Sequence, residues 1–265
     1  MASRSLKNIH RLIEVATTDV PINEQFVSDL NFAIEKMQEK DSRMPSRTYK
    51  PSSMVCIRNM YFQIMGTPTE GERMGAVLSG IVQSGSDRHA RIQEVISAMR
   101  SLKLDCDYID VEKFIKMRGL TDLTVVSRVG FETKLYHKKL NISFMCDGII
   151  NYLGRYYILE IKTETVYKWS GRRGVAEEHF DQATTYSMCL GVDQVLFLYE
   201  SRDTTDKKAY IYLVTDEARY AIISKIELCE SYVKRLKAPP IPLDITTKAC
   251  AYCNYKEPCK KLGKD

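Results

Sequence analysis

Apolar positions recur along this chain with two different periods. Leu6, Ile9, Leu12, Ile13 and Val15 form one short helical stripe, and Phe26, Leu30, Phe32, Ala33, Ile34 and Met37 form a second, so residues 1–45 read as polar helices. Pro45, Pro51 and the serines around them mark a loop, followed by a helix from Cys56 to about Met65. Ile92, Val95, Ile96, Met99 and Leu102 keep the helical i, i+3, i+4, i+7 spacing over 84–102. The period then shifts. Val125–Tyr136, Leu140–Ile150 and Arg155–Thr163 alternate or run apolar with β-branched and aromatic residues and read as strands, with a turn at Asn151–Gly154. A helix at 176–190, strands at Gln194–Tyr199 and Ala209–Val214, and a helix at 217–236 follow. In the last, Ala218, Ile222, Ile226, Cys229, Val233 and Leu236 line one face. Pro239, Pro240 and Pro242 then impose a stiff, extended linker.

Helix, three strands, helix, two strands, helix is a mixed α/β plan, and short connections favour hairpin pairing in its middle. The 265 residues suffice for one large domain or two small ones, and 44% hydrophobic with 28% charged residues is ordinary globular composition. No apolar run reaches membrane-spanning length and the first residues lack the apolar core of a signal peptide. A cytosolic location with no membrane partner is therefore expected. The net charge of +5 permits a nucleic-acid partner without demanding one.

Cytosolic thiols stay reduced, so the eight cysteines read as metal ligands and core packing rather than disulfides. Cys146, Cys189 and Cys229 read as small buried hydrophobes, and Cys106 is undecided. Cys250, Cys253 and Cys259 have the spacing C-x2-C-x5-C near the end of the chain, and Cys56 lies far upstream. Four thiolates suit Zn²⁺ or an iron–sulfur cluster. Structural zinc sites take their ligands as two close pairs, whereas here three are local and one is distant.

The chemistry points to Asp147 and to Glu160-Ile-Lys162. Side chains alternate along a strand, so Glu160 and Lys162 share a face, and a hairpin would bring Asp147 beside Glu160. Two carboxylates held together repel unless neutralised, and a hard divalent cation, Mg²⁺ or Mn²⁺, does this. Such a cation polarises a phosphate and activates water, with Lys162 orienting that water or stabilising developing charge. A plain surface ion pair between Glu160 and Lys162 is the simpler alternative. His89 is either a core-facing histidine or a further ligand. Gln182 and Tyr186, spaced i, i+4, share one face of the following helix. Tyr167, Lys168, Trp169, Arg172 and Arg173 mix aromatics with cations after the Glu160 strand. They form either a DNA-gripping stretch or a solvated loop.

Taken in order, Cys56, His89, Asp147, Glu160-Ile-Lys162, Gln182-Ala-Thr-Thr-Tyr186 and Cys250-x2-Cys253-x5-Cys259 resemble the RecB-type PD-(D/E)xK nucleases with an iron–sulfur cluster. That family includes the CRISPR-associated adaptation exonucleases and the AddB nuclease domain. The resemblance covers residues 51–262. It implies an α/β, restriction-endonuclease-like core, a central mixed sheet flanked by helices, over 51–237. A helical extension precedes it over 1–50, and a cysteine-cluster tail over 238–265 closes onto Cys56. It implies that His89, Asp147, Glu160 and the backbone carbonyl of Ile161 hold Mg²⁺ or Mn²⁺, with Asp147, Glu160 and Lys162 catalytic. Gln182 and Tyr186 match its QxxxY motif, which supports the site or touches DNA. Cys56, Cys250, Cys253 and Cys259 match its [4Fe–4S] ligands, structural Zn²⁺ being the alternative.

Two departures are visible: Asp147 sits in Cys-Asp-Gly where many members have Gly-x-x-Asp, and the leading proline is absent. Neither removes an oxygen ligand. The expected activity is a metal-dependent DNA exonuclease on single strands or duplex ends, in recombination, repair or replication, with protein partners from those processes. Small stand-alone members are carried by phages and mobile elements. The alternative is a DNA-binding or assembly subunit whose cluster is structural. A non-catalytic zinc-ribbon protein would leave the strand motif unexplained. An oligomer is compatible with these features, and none of them reports it.

Overall fold

The computed structural model describes residues 21–38, 46–69, 75–241, 250 and 253–262. The first apolar stripe (Leu6 to Val15), Pro45 and Pro242 lie outside these residues. The described residues of Met1–Asp41 and Gly71–Gln83 form one compact unit, and those of Ser42–Glu70 and Ser84–Asp265 form another. In the smaller unit, helix α1 (Ile22–Gln38) carries the second expected stripe, but Phe26, Leu30, Phe32 and Met37 are all exposed. Its Glu35 carboxylate accepts the backbone N–H of Ala76 at 3.1 Å. That contact satisfies one orphan donor in the first turn of α3 (Ala76–Ala98).

The larger unit is built on two sheets. Helix α2 (Ile57–Met65) follows Cys56, which sits at the N-cap in extended conformation. Strand β1 (Cys106–Ile109) and helix α4 (Val111–Arg118) come next, the helix capped by the Asp110 side chain, which accepts Lys113 N–H at 3.0 Å. The stretch expected as one strand, Val125–Tyr136, is a hairpin, β2 (Leu123–Val129) and β3 (Glu132–His137). The stretch Leu140–Ile150 is likewise two strands, β4 (Ile142–Cys146) and β5 (Gly148–Tyr152), which interrupt at Asp147 and join different sheets. β2, β3 and β4 make a small antiparallel sheet.

The main sheet runs β1, β5, β6 (Arg155–Glu164), β7 (Gln194–Ser201), β8 (Lys207–Leu213). All its pairings are antiparallel except β6 with β7, which are parallel and joined through α5 (Val166–Gly171) and α6 (Phe180–Leu190). Helix α7 (Asp216–Lys234) follows, its N-cap Thr215 accepting Ala218 N–H, and α8 (Lys256–Lys261) closes the described chain.

The pleat of β6 explains the layering. Tyr157, Leu159 and Ile161 pack on one face with Ile92 and Ile96 of α3 and with Met99 just after it. Ile158 points to the other, into the larger core with Ala183 and Tyr186 of α6 and Ile222 of α7. Glu160 and Lys162 share the parity of Ile158 and therefore lie on the α6 side. This central mixed sheet flanked by helices is the mixed α/β plan expected from the sequence. Cys146, Cys189 and Cys229 are buried as expected, and so is the undecided Cys106. Among the described residues no helix is long and apolar enough to cross a membrane.

The turn between β5 and β6 is set by two adjacent positive φ angles, at Leu153 (50°) and Gly154 (77°), between the paired Tyr152 and Arg155. Two left-handed residues in a two-residue loop match the right-handed twist of the flanking strands.

Candidate active site and cysteine cavity

Strand registers bring the carboxylates together. In the β5–β6 ladder Gly148 faces Leu159, so the next rung places Asp147 opposite Glu160. In the β3–β4 ladder Thr133 faces Cys146, so the next rung places Glu132 opposite Asp147. Asp147, at the break between the sheets, is thus flanked by an acid on each side. Cross-strand like charges are mutually unfavourable.

The backbone of Asp147 is held firmly. Its carbonyl accepts Gln93 Nε2 and the Tyr108 hydroxyl, both at 2.6 Å. The Asp147 Oδ2 atom accepts the Ile161 N–H at 2.5 Å, and Oδ1 lies 3.2 Å from His89 Nδ1. His89 and Gln93 are one turn apart on α3, so both reach the same residue. The Glu160 Oε1 atom accepts Lys162 Nζ at 2.6 Å and Gln182 Nε2 at 3.1 Å. Gln182 also donates to the Tyr186 hydroxyl at 2.7 Å, and Tyr186 packs against Phe144.

Electrostatics follow from this crowding. Burial, reinforced by the Asp147 charge, pushes the Glu160 carboxyl up to about 7 although Lys162 opposes it. Burial and Asp147 also raise Glu132. Burial alone would lower His89, but the hydrogen bond to Asp147 and the charges of Asp147 and Glu160 outweigh it and the histidine is raised. Such a set is strained without a cation. One imidazole nitrogen and several carboxylate oxygens fit Mg²⁺ or Mn²⁺.

Glu132, Gln93 and Tyr108 are site residues that the sequence reading missed. Gly148 makes their arrangement possible. Its φ is +155°, and a Cβ there would meet the Tyr108 hydroxyl oxygen at 2.5 Å. Gly148→Ala is expected to displace Tyr108, free the Asp147 backbone and cost about 1–3 kcal/mol in denaturant unfolding. Unchanged stability and an unmoved Tyr108 in a variant structure would refute this account.

The segment after β6 behaves differently from expectation. Arg172 chelates the buried Glu164, donating at 2.7 Å from Nε, and its guanidinium lies 4.1 Å from the Tyr199 ring centroid. Lys168 pairs with Glu164 and Glu178, and Trp169 Nε1 donates to the Tyr199 carbonyl with Lys208 over its ring. These contacts hold the Arg172 guanidinium against Glu164 and Tyr199. Tyr167 and Arg173 stay exposed. Removing one partner of such a pair strands the other charge, so Arg172→Ala is expected to lose about 3–5 kcal/mol in thermal or denaturant unfolding. A variant as stable as wild type but weakened in DNA binding would restore the phosphate role.

His179, at the end of the short 3-10 turn Glu177–His179, stacks on Phe197. Burial, then the Lys162 charge, lowers it from 6.5 to about 4. Between those values the unfolded chain holds a proton that the folded chain does not. Stability is therefore complete above pH 6.5, falls as the pH drops, and levels off below about 4. His179→Gln should flatten that part of a stability–pH curve, and an unaltered curve would refute the assignment.

Away from these groups, Cys56, Cys250, Cys253 and Cys259 line one cavity of about 200 Å³ with Val55, Phe62 and Ile241. All four are free thiols. Burial raises the Cys56 thiol, opposed by backbone N–H groups of Asn59 and Arg58 at the start of α2. Asn59 Nδ2 lies 3.5 Å from Cys253 Sγ. Arg58, fully buried, donates to the carbonyls of Pro239 (3.0 Å) and Cys259 (3.2 Å), and Phe62 stacks on Tyr255. Among the described residues no three of these sulfurs lie within 4.8 Å of one another. A single tetrahedral Zn²⁺ with bonds of about 2.3 Å would need its sulfurs closer than that.

A groove of about 770 Å³ is lined by Gln182 and Tyr186, by Asn59 and Tyr255, and by Lys50 and Lys134.

No family model and no curated protein matches the chain. Among solved structures it is similar to SSO0001, with 14% identity and a TM-score of 0.44, over 91% of this chain and 98% of that one. It is also similar to an alkaline exonuclease, LHK-Exo, from Laribacter hongkongensis, with 15% identity and a TM-score of 0.42, over 72% of this chain and 91% of that one. A structure of LHK-Exo in complex with dAMP gives 14% identity and a TM-score of 0.43, over 72% and 89%.

Proposed function

We propose that the chain is a metal-dependent DNA exonuclease, acting on single strands or duplex ends in recombination, repair or replication. The observation that carries this reading is the convergence of His89, Asp147, Glu160 and Lys162 around the break between the sheets. A surface ion pair does not account for it: Glu160 is buried, and its carboxylate is shared between Lys162 and the Gln182–Tyr186 pair.

Asp147 and Glu160, with the carbonyl of Ile161, are the residues that would hold Mg²⁺ or Mn²⁺, His89 standing at Asp147 Oδ1. A bound divalent cation supplies charge to polarise the scissile phosphate and acidify a water. Lys162 stands where it can orient that water or neutralise charge building on the phosphate, and Glu160 keeps its ammonium group aimed inward. Gln182 fixes the rotamer of Glu160, and Tyr186 fixes Gln182. The groove bearing Lys50 and Lys134 offers cations and hydroxyls to a single strand beside the site.

The four-cysteine cavity belongs to the same reading, as the seat of a [4Fe–4S] cluster that fastens the end of the chain to Cys56. Two features support it. The four thiols line one cavity, and the walls of that cavity are apolar.

The test is anaerobic purification followed by incubation with end-labelled single-stranded and duplex DNA, with Mn²⁺, Mg²⁺ or chelator. Metal-dependent release of label, absent in Lys162→Ala, is expected, and its time course reports polarity. Cluster-loaded protein that binds DNA but leaves it intact would make the chain a DNA-binding or assembly subunit instead.

A further inference from the structure

Asn59 and Tyr255 each line two hollows at once, the cysteine cavity and the groove of Gln182 and Tyr186. Asn59 also reaches sulfur with both its backbone and its side chain. It is the third residue of α2, and Cys56 is the N-cap of that helix. The first backbone N–H groups of a helix have no partner within it, and that of Asn59 acts on the Cys56 sulfur, opposing the burial that raises its thiol. The Asn59 side-chain Nδ2 lies 3.5 Å from Cys253 Sγ, 194 residues further along the chain. One asparagine thus serves the cysteine that stands alone in the sequence and one of the three that stand together.

The amide is turned in a way that packing alone does not explain. Its Oδ1 atom is buried and has no hydrogen-bond partner among the described residues. An amide that only filled the wall could turn by half a circle and offer that oxygen to a thiol proton. Here the N–H end meets the sulfur instead, and a buried acceptor is left unpaired at the other end, which is unfavourable. A thiol carries a weak donor, whereas a thiolate only accepts. The thiolate is the form that binds a metal. The orientation of Asn59 therefore suits a metal-bound Cys253, and a hydrogen bond to an ionised sulfur is of the stronger, charge-assisted kind.

We infer that Asn59 is a positioning residue of the cysteine centre: it aims the Cys253 sulfur and, through its hydrogen bond to that sulfur, sets how readily the centre accepts an electron. The inference rests on the reading of the cavity as the seat of a metal centre, and not on the nuclease reading. Hydrogen bonds to the sulfurs are among the factors that fix the reduction potential of an iron–sulfur centre, because they offset the charge that reduction adds.

The experiment measures iron and sulfide content and then the reduction potential of the full-length, cluster-loaded protein, by titration at an electrode that supplies the electron. Asn59→Leu keeps the bulk of the side chain and removes the donor. At a fixed potential its ratio of reduced to oxidised centre should be about tenfold lower, a downward shift of about 59 mV. Asn59→Asp puts a charge in place of the donor and should shift further in the same direction. Asn59→Gln keeps an amide and should fall between wild type and Asn59→Leu. Wild-type potentials in both Asn59→Leu and Asn59→Asp would overturn the inference and leave the cluster standing. If the wild type holds zinc in place of iron, chelator competition takes over. Asn59→Leu should then hold zinc at least about tenfold more weakly, and equal affinity would overturn the inference. A wild type that holds neither metal would remove the reading of the cavity and the inference with it.

Discussion

Asparagine in place of Asp147 should abolish DNA cleavage, by about three orders of magnitude, the scale on which a preorganised charge-stabilising group acts. Asn is nearly isosteric, and its side-chain oxygen can still accept the Ile161 N–H, so the loss would come from charge and not from collapse of the strand break. The same substitution should stabilise the metal-free protein. Asp147 lies one position beyond the Gly148–Leu159 and Cys146–Thr133 rungs, next to Glu160 and Glu132, and a like-charge cross-strand pair costs roughly 0.2–1 kcal/mol. Removing the middle charge relieves both. With it gone, Glu160 and Glu132 should titrate nearer the ordinary carboxylate range and His89 nearer the ordinary imidazole value, because the Asp147 charge pushes all three upward. Thermal melts in chelator and NMR titration of the His89 ring would check both parts. A dead enzyme with an unaltered His89 and lower metal-free stability would mean that Asp147 is a packing residue.

If the cysteine cavity holds the proposed cluster, serine in place of Cys253 should remove it and a large part of the folded yield. The cavity joins the end of the chain to the residue just before α2, so a metal centre there closes a very long loop. Cross-links on that scale contribute roughly 5 kcal/mol, a large share of the 5–15 kcal/mol that holds a typical domain. The tail would not detach altogether. Arg58 still reaches the carbonyls of Pro239 and Cys259, and Phe62 still stacks on Tyr255, so the contact survives while the fastening is lost. Iron and sulfide content, visible absorbance and a denaturation curve would measure it. Zinc without iron in the wild type would change the identity of the centre but not the expected destabilisation. Wild-type stability in Cys253→Ser would dismiss a structural centre altogether.

How much of this could be read from the residues varies with the kind of signal. Helices α3 and α7 were legible from apolar residues at helical spacing, although α3 runs over Ala76–Ala98 rather than 84–102 and Val95 and Leu102 of its expected stripe are exposed. Glu160 and Lys162 were legible because strand parity places them together. The Val125–Tyr136 hairpin was not, since Gly130 lies inside an otherwise strand-like run and its φ of 58° shows only in the backbone. Glu132 was hidden for the same reason. Without the turn it falls mid-strand, and only the folded hairpin brings it beside Asp147 and His89. The interruption at Asp147 left no mark either, because apolar residues continue on both sides of it. β1 and α4 are short, and the acids Asp105, Asp107 and Asp110 make them look like a loop. In hindsight Asp110 was the readable signal, as an N-cap. The Arg172–Glu164 pair was not legible, because a cation beside aromatics looks alike whether it meets a phosphate or a buried acid.

The two-residue turn at Leu153 and Gly154 has a reach that its position on the surface disguises. A hairpin is counted from its loop, and every rung of β5 against β6 is numbered from that end. Inserting a single residue there would slide Asp147 off Glu160 and turn one of the two to the opposite face of the sheet. The damage would fall at the far end of the strands while every catalytic side chain remained in the sequence. The pairing of the acids also opposes itself, so nothing in their own chemistry would pull them back into step. The loop thus acts as a ruler for the site, and a family of loop-length variants would lose activity in a pattern that follows strand parity rather than distance.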